Sequence, residues 1–170
     1  MKTEELRAIQ APLKMLYQEQ AEAALVTLKA RGHLGDGVTC SVQTGKALAT
    51  AGLHPATGGN GLSACSGDML LEALVACAGV TMNAVATAIG VVVRSGAVAA
   101  EGDLDFRGTL GVAKDAPVGF QRIRLHFDLD TDASEDQLNT LVRLTERYCV
   151  VFQTLRQSPD MTVSHRVSAN

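Results

Sequence analysis

The sequence predicts an α+β fold, with helices packed on one face of a mostly antiparallel sheet, and three stretches carry that reading. Ser66 to Val93 is one long apolar segment whose only strongly polar interruptions after Asp68 are Glu72 and Asn83. Its length and its Ala, Leu and Met content favour a helix over a strand. Gln121 to Leu129 sets Ile123, Leu125, Phe127 and Leu129 against Arg122, Arg124, His126 and Asp128, the period of a strand with one buried face. Leu138, Leu141, Leu144 (or Thr145) and Tyr148 then recur at helical spacing. Strands flanking two helices in this order point to helices laid on a sheet.

The totals agree with one domain, or one domain with an appendage, in 170 residues. Hydrophobic residues make up 46% and charged residues 19%, which leaves material for a sizeable core and argues against disorder. A net charge of -3 offers no basic field for nucleic acid, and 4% aromatic content with no Trp argues against base stacking. The N-terminus, MKTEELRAIQAPLK, has acidic residues and no apolar run, so no secretory signal is read there and a cytoplasmic location is expected. In a reducing cytosol, cysteines at 40, 65, 77 and 149 need a role other than structural disulfides. No CxxC or HxxxH pairing occurs, so neither a metal nor another cofactor is expected.

In chain order, residues 3–30 read as an amphipathic helical arm, with Leu6, Ile9, Leu13, Leu16, Ala23, Leu25 and Leu28 among Glu, Lys and Gln. Pro12 divides it, and Gly32, Gly35 and Gly37 end it. Packing or dimerisation is the role that fits. Val38 to Thr44 alternates as a half-buried strand with Cys40 on its apolar face, an inert buried thiol by default. Residues 45–57 read as a weaker hairpin arm, with Gly45–Lys46 near the turn. Residues 57–67, TGGNGLSACSG, form an entry loop to the long helix. Gly59, Gly61 and Ala64 fit the letters GxGxxA, yet no strand delivers them and no acid follows about 20 residues on to hold a ribose. Ser66 or Asp68 serves the helix as N-cap or first-turn acid.

Residues 73–93 carry no charge over 21 positions, long enough for a membrane span. The run is rich in Ala, Gly and Thr rather than Leu and Phe and lacks flanking basic clusters, so a helix buried in protein is expected and no membrane partner. Glu72 reads as the exposed side near the helix start. Beyond Gly90, Ala97–Phe106 is a strand, and Ser134 with Gln137 forms a capping box for the second helix. That helix delivers Cys149. Met161–Val167 alternates as a closing strand, and His126 and His165 fall on polar strand faces.

Two helices thus each carry a cysteine, and the sequences around them are informative. SGDMLLEALVACAGVTM, followed some seventy residues later by DASEDQLNTLVRLTERYCVVFQTL, resembles the OsmC/Ohr family of thiol peroxidases. PVGFQRIRLHFDLD is similar to the family's strand before the second helix. The resemblance covers about residues 36–167 and divides the chain into an arm, 1–34, and an OsmC-like domain, 35–170. It implies an intertwined homodimer, with the long central helices buried between subunits. It further implies reduction of organic hydroperoxides, with Cys77 as the peroxidatic thiol, Cys149 as the resolving thiol and an external dithiol as reductant.

Asp68 matches the family's acid at the start of the central helix, one carbon shorter. The family's thiolate-holding arginine has no counterpart between Arg31 and Arg94, where Lys46 and His54 are the basic candidates. A cysteine in mid-helix gains little from its own helix dipole, so burial alone is expected to raise the Cys77 pKa. Cys65 is an outside candidate for a thiol partner. The rival expectation is the same dimer as a non-catalytic or weakly reactive protein that holds a hydrophobic small molecule.

Overall fold

A computed structural model describes residues 3–34, 40–42, 51–62 and 64–167. The N-terminal helix α1 (Thr3–Glu19) accommodates Pro12 internally. The expected helical arm stops there, because a 3-10 turn at Ala21–Ala24 leads into strand β1 (Leu25–Leu34). Apolar residues at 25 and 28 fit a helix in isolation, but this stretch finds a ladder partner. Leu25 to His33 pairs residue by residue with Asp105 to Ala97 of β5 (Val93–Asp105). A continuous antiparallel ladder outweighs intrinsic propensities of a few tenths of a kcal/mol per residue. Gly32 therefore lies inside a strand, opposite Val42 and Val98, and does not end a helix.

The main sheet has the order β2-β1-β5-β6, all antiparallel, with β2 at Cys40–Val42 and β6 at Arg122–Thr131. Gly45, Lys46 and most of the expected first hairpin lie outside the described residues. Ala51–Gly52 (β3) pairs with Ala64–Cys65 (β4) in parallel, which closes the loop between them and replaces the expected hairpin there. Cys65, not Ser66, is the N-cap residue of α2 (Ser66–Ile89), and Asp68 lies in its first turn. Gly90, at φ 72, ends the helix in the left-handed conformation that glycine adopts without strain.

Helix α2 buries Leu71, Leu74, Val75 and Ala78 against Val98, Ala100 and Leu104 of β5, and Met82 and Val85 against Leu141 of α4 (Glu135–Tyr148). Each large side chain enclosed this way contributes about 1.5–3 kcal/mol. By length and composition α2 could cross a membrane, but 44% of its most apolar window is already buried inside this one chain. The remaining stripe, which includes Met69, Leu70 and Val80, is exposed.

Ser134 caps α4 through the expected capping box with Gln137. After α3 (Phe106–Thr109), β6 and α4, a short helix α5 (Val150–Arg156) follows directly. Residues 157–167 form neither helix nor strand, and Met161, Val163 and Val167 are exposed. The expected closing strand is thus absent within this chain, since a strand persists only where a neighbour takes up its hydrogen bonds.

Candidate active site

Helix α4 ends at Tyr148, and Cys149 (φ -71, ψ 106) is a single extended residue before α5 begins. Its N–H donates to the Thr145 carbonyl at 2.9 Å, while its own carbonyl accepts from the Gln153 N–H at 2.9 Å. Cys149 therefore closes one helix and opens the next. The first N–H groups of a helix have no partner within it, so those of α5 are free to serve another acceptor.

That acceptor is Cys77, about three turns into α2. Burial pushes its thiol pKa up, but the backbone N–H of Val151, the Cys149 thiol, the Thr81 hydroxyl and the backbone N–H of Val150 all hydrogen-bond to its sulfur. The donors outweigh burial and hold Cys77 below the usual thiol range. This overturns the expectation of a raised value. The main-chain N–H groups that matter belong to the start of α5, which the chain folds back onto Cys77.

Cys149 moves in the opposite sense. Burial pushes it up to about 11, assisted by its hydrogen bond to Cys77 and the nearby charge there, against the backbone N–H groups of Phe152 and Val151. Of the two thiols, Cys77 is thus the one that gives up its proton more readily. Cys149 is fully buried and Cys77 only half-buried, so the more readily ionised thiol is the accessible one.

Asp68 does not touch this pair. It lies nine positions before Cys77 on the same helix, about 13 Å back along the axis and half a turn around it. Burial raises its pKa, with His54 opposing the shift. His54 stacks on Phe106 at 5.0 Å with 16° between ring planes, and its Nδ1 accepts from the Ala56 N–H at 3.0 Å. One of the two basic candidates is therefore beside the candidate acid, though away from the sulfur; Lys46 lies outside the described residues. Helix α1 secures the same loop, since Tyr17 Oη donates to the Ala56 carbonyl at 2.6 Å and Gln10 Nε2 to the Thr57 carbonyl at 3.2 Å.

Cys65 is half-buried at the start of α2, about three turns from Cys77, and is not part of the pair. Glu72 is half-buried; His126 is exposed on the strand β6, and His165 is exposed although its expected strand does not form. The residues missed from sequence are Val150, Val151 and Thr81. The first two act through backbone N–H groups, which no side-chain pattern reveals. Thr81 had a legible signal, its place one helical turn beyond Cys77.

The family model for OsmC-like proteins matches residues 58–164, a span that includes Asp68, Cys77 and Cys149. The chain belongs to the OsmC-like family. Solved structures share the fold. An OsmC-like hydroperoxide resistance protein from Jannaschia sp. CCS1 superposes with a TM-score of 0.60 at 18% identity, covering 86% of this chain and 95% of that one. An OsmC-like protein from Mycoplasma pneumoniae gives a TM-score of 0.55 at 17% identity, covering 79% of this chain and 86% of its own. No curated protein matches the chain.

Proposed function

We propose that this protein reduces organic hydroperoxides through Cys77 and Cys149. The observation that carries this reading is the thiol pair itself, a hydrogen-bonded, half-exposed Cys77 with a lowered pKa against a buried, protonated Cys149. The Cys77 thiolate attacks the peroxide oxygen that bears hydrogen and the O–O bond breaks. The alkoxide takes a proton and leaves as the alcohol, with sulfenic acid on Cys77. The Cys149 sulfur then attacks the sulfenic sulfur, an S–S bond forms and water leaves. An external dithiol returns two electrons and two protons by thiol–disulfide exchange, as a cytoplasmic location would allow.

The exposed apolar stripe of α2, with Leu70 and Val80, and the exposed Val150 beside the pair support a second copy of the chain as cover for this face, and a substrate with an apolar tail. The same apolar surface favours the rival reading, a dimer that holds a hydrophobic small molecule without turning it over.

Titration of the reduced protein with cumene hydroperoxide separates the two. Loss of two thiols per chain at low peroxide excess, abolished by Cys77→Ser, is the expected result. Full retention of thiols at millimolar peroxide removes the peroxidase reading, and light scattering that finds only monomer removes the dimer.

A further inference from the structure

Helix α1 and the turn before α2 meet at Ala56, which is bonded on both sides of its own backbone. Its carbonyl accepts from Tyr17 Oη at 2.6 Å, and its N–H donates to Nδ1 of His54 at 3.0 Å. His54 is the N-cap of the 3-10 turn Pro55–Thr57. The His54 carbonyl gathers the Thr57 N–H at 2.8 Å, the Thr57 hydroxyl at 2.9 Å and the Gly59 N–H at 3.1 Å. The turn is tight: a Cβ at Gly59 would lie 1.7 Å from the Leu53 carbonyl oxygen, and one at Gly58 would meet Ile9 of α1 at 2.4 Å. The His54 ring is held in place by its stack on the buried Phe106.

We propose that this turn is a pH-sensitive latch: protonation of His54 withdraws the acceptor from the Ala56 N–H, loosens the turn and frees α1 from it. A neutral ring whose Nδ1 accepts carries its proton on Nε2, whereas the imidazolium has an N–H at both positions. Donor would then face donor at Ala56. A flip of the ring only brings a carbon to the same place, so the bond is not restored. Histidine is the side chain that changes charge between about pH 5 and 8. The groups around the ring leave this logic intact. From α2, the Asp68 carboxylate attracts the imidazolium and favours uptake of the proton, but it leaves the Ala56 N–H without its partner. From α3, Asp105 and Arg107 flank Phe106 and are paired with each other. From α1, the Tyr17 hydroxyl already donates to Ala56. Leu13 and Tyr17 pack on the core, so release of α1 opens an apolar surface that the neutral form keeps closed. None of this draws on Cys77 or Cys149.

The test follows hydrogen–deuterium exchange of α1 in the full chain from about pH 8 to about pH 5, with rates divided by the intrinsic exchange rate at each pH. His54→Asn is the comparison, since its amide oxygen can cap the same N–H and does not titrate. The parent should lose about fivefold in α1 protection across the range, the worth of one hydrogen bond, while His54→Asn stays level. A parent profile as flat as that of the variant overturns the proposal, as does an equal loss in both. Nitrogen NMR of the His54 ring decides the matter without any variant. Nδ1 should report an unprotonated acceptor at the alkaline end, and the ring should titrate with the midpoint of the α1 exchange. Midpoints about one pH unit or more apart, or a neutral ring with its proton on Nδ1, overturn the proposal as well.

Discussion

Val150 offers a way to remove one hydrogen bond from the Cys77 sulfur while changing little else. It is the first residue of α5, the one helical position where proline is well tolerated, and the preceding Cys149 (φ -71, ψ 106) is already extended as a residue before proline must be. The Val150 side chain is 71% exposed, so its loss costs little packing. Val150→Pro deletes the N–H that donates to Cys77 and leaves those of Val151, Cys149 and Thr81. A hydrogen bond to a charged acceptor is worth about 1.5–3 kcal/mol. Because the sulfur is half-exposed the lower figure applies, about tenfold in thiolate population below the midpoint.

The freed thiolate is also more basic and hence more nucleophilic. A Brønsted coefficient of roughly 0.4–0.5 returns about threefold, so the variant should alkylate only about three to four times more slowly at low pH. Above both midpoints, where every Cys77 is ionised, it should react about three times faster than the parent. The assay is iodoacetamide labelling of the Cys77 peptide from pH 5 to 10, with Val150→Ala as the control that keeps the N–H. Parallel pH–rate curves with no crossing and an unmoved midpoint, in a variant of native helical content, would refute the reasoning.

Other consequences are more local. Cys149→Ser should leave the first oxidation of Cys77 but prevent the disulfide, so mass spectrometry after excess cumene hydroperoxide should find sulfinic or sulfonic acid at Cys77, absent from the parent. Asp105 is buried and pairs with Arg107, which holds its carboxyl below the usual range, and it also accepts the Arg107 N–H at 3.0 Å. A depressed folded pKa stabilises above the unfolded value near ~3.9 and loses that contribution as pH falls through the folded one. Asp105→Asn should therefore unfold more easily than the parent above about pH 4–5, with the gap in urea midpoints narrowing at lower pH. Met82 is fully buried against Leu141 and the Thr145 hydroxyl, and Met82→Ala should cost about 2–5 kcal/mol in denaturant unfolding. Tyr17→Phe removes the 2.6 Å bond to the Ala56 carbonyl and should cost about 1 kcal/mol, with faster proteolysis within α1 as the readout.

Much of the frame was legible because it depends on local pattern. The long apolar run needed a helix of the length observed at Ser66–Ile89, the alternation near Ile123 needed a strand, and Ser134 with Gln137 needed a helix start. The arm was legible only as far as Glu19. Beyond it the apolar residues from Leu25 onward suit either period, and the choice fell to β5, a neighbour some seventy residues away. Residues 161–167 show the converse, a clean alternation with no ladder partner inside the chain.

By itself the sequence singled out Cys77 and Cys149 as the candidates for chemistry, since these two cysteines stand in motifs of the OsmC-like kind. Asp68 entered the same candidate set by position, and the helix geometry sets it about 13 Å along the axis from Cys77 and on the opposite side. Tertiary structure alone decided which of the two thiols ionises more readily. Whether a buried thiol ionises depends on what donates to it, and at Cys77 two of the four donors are main-chain N–H groups of Val150 and Val151. Every residue has such groups, so letters cannot reveal them; a fold that brings the start of one helix against the middle of another can.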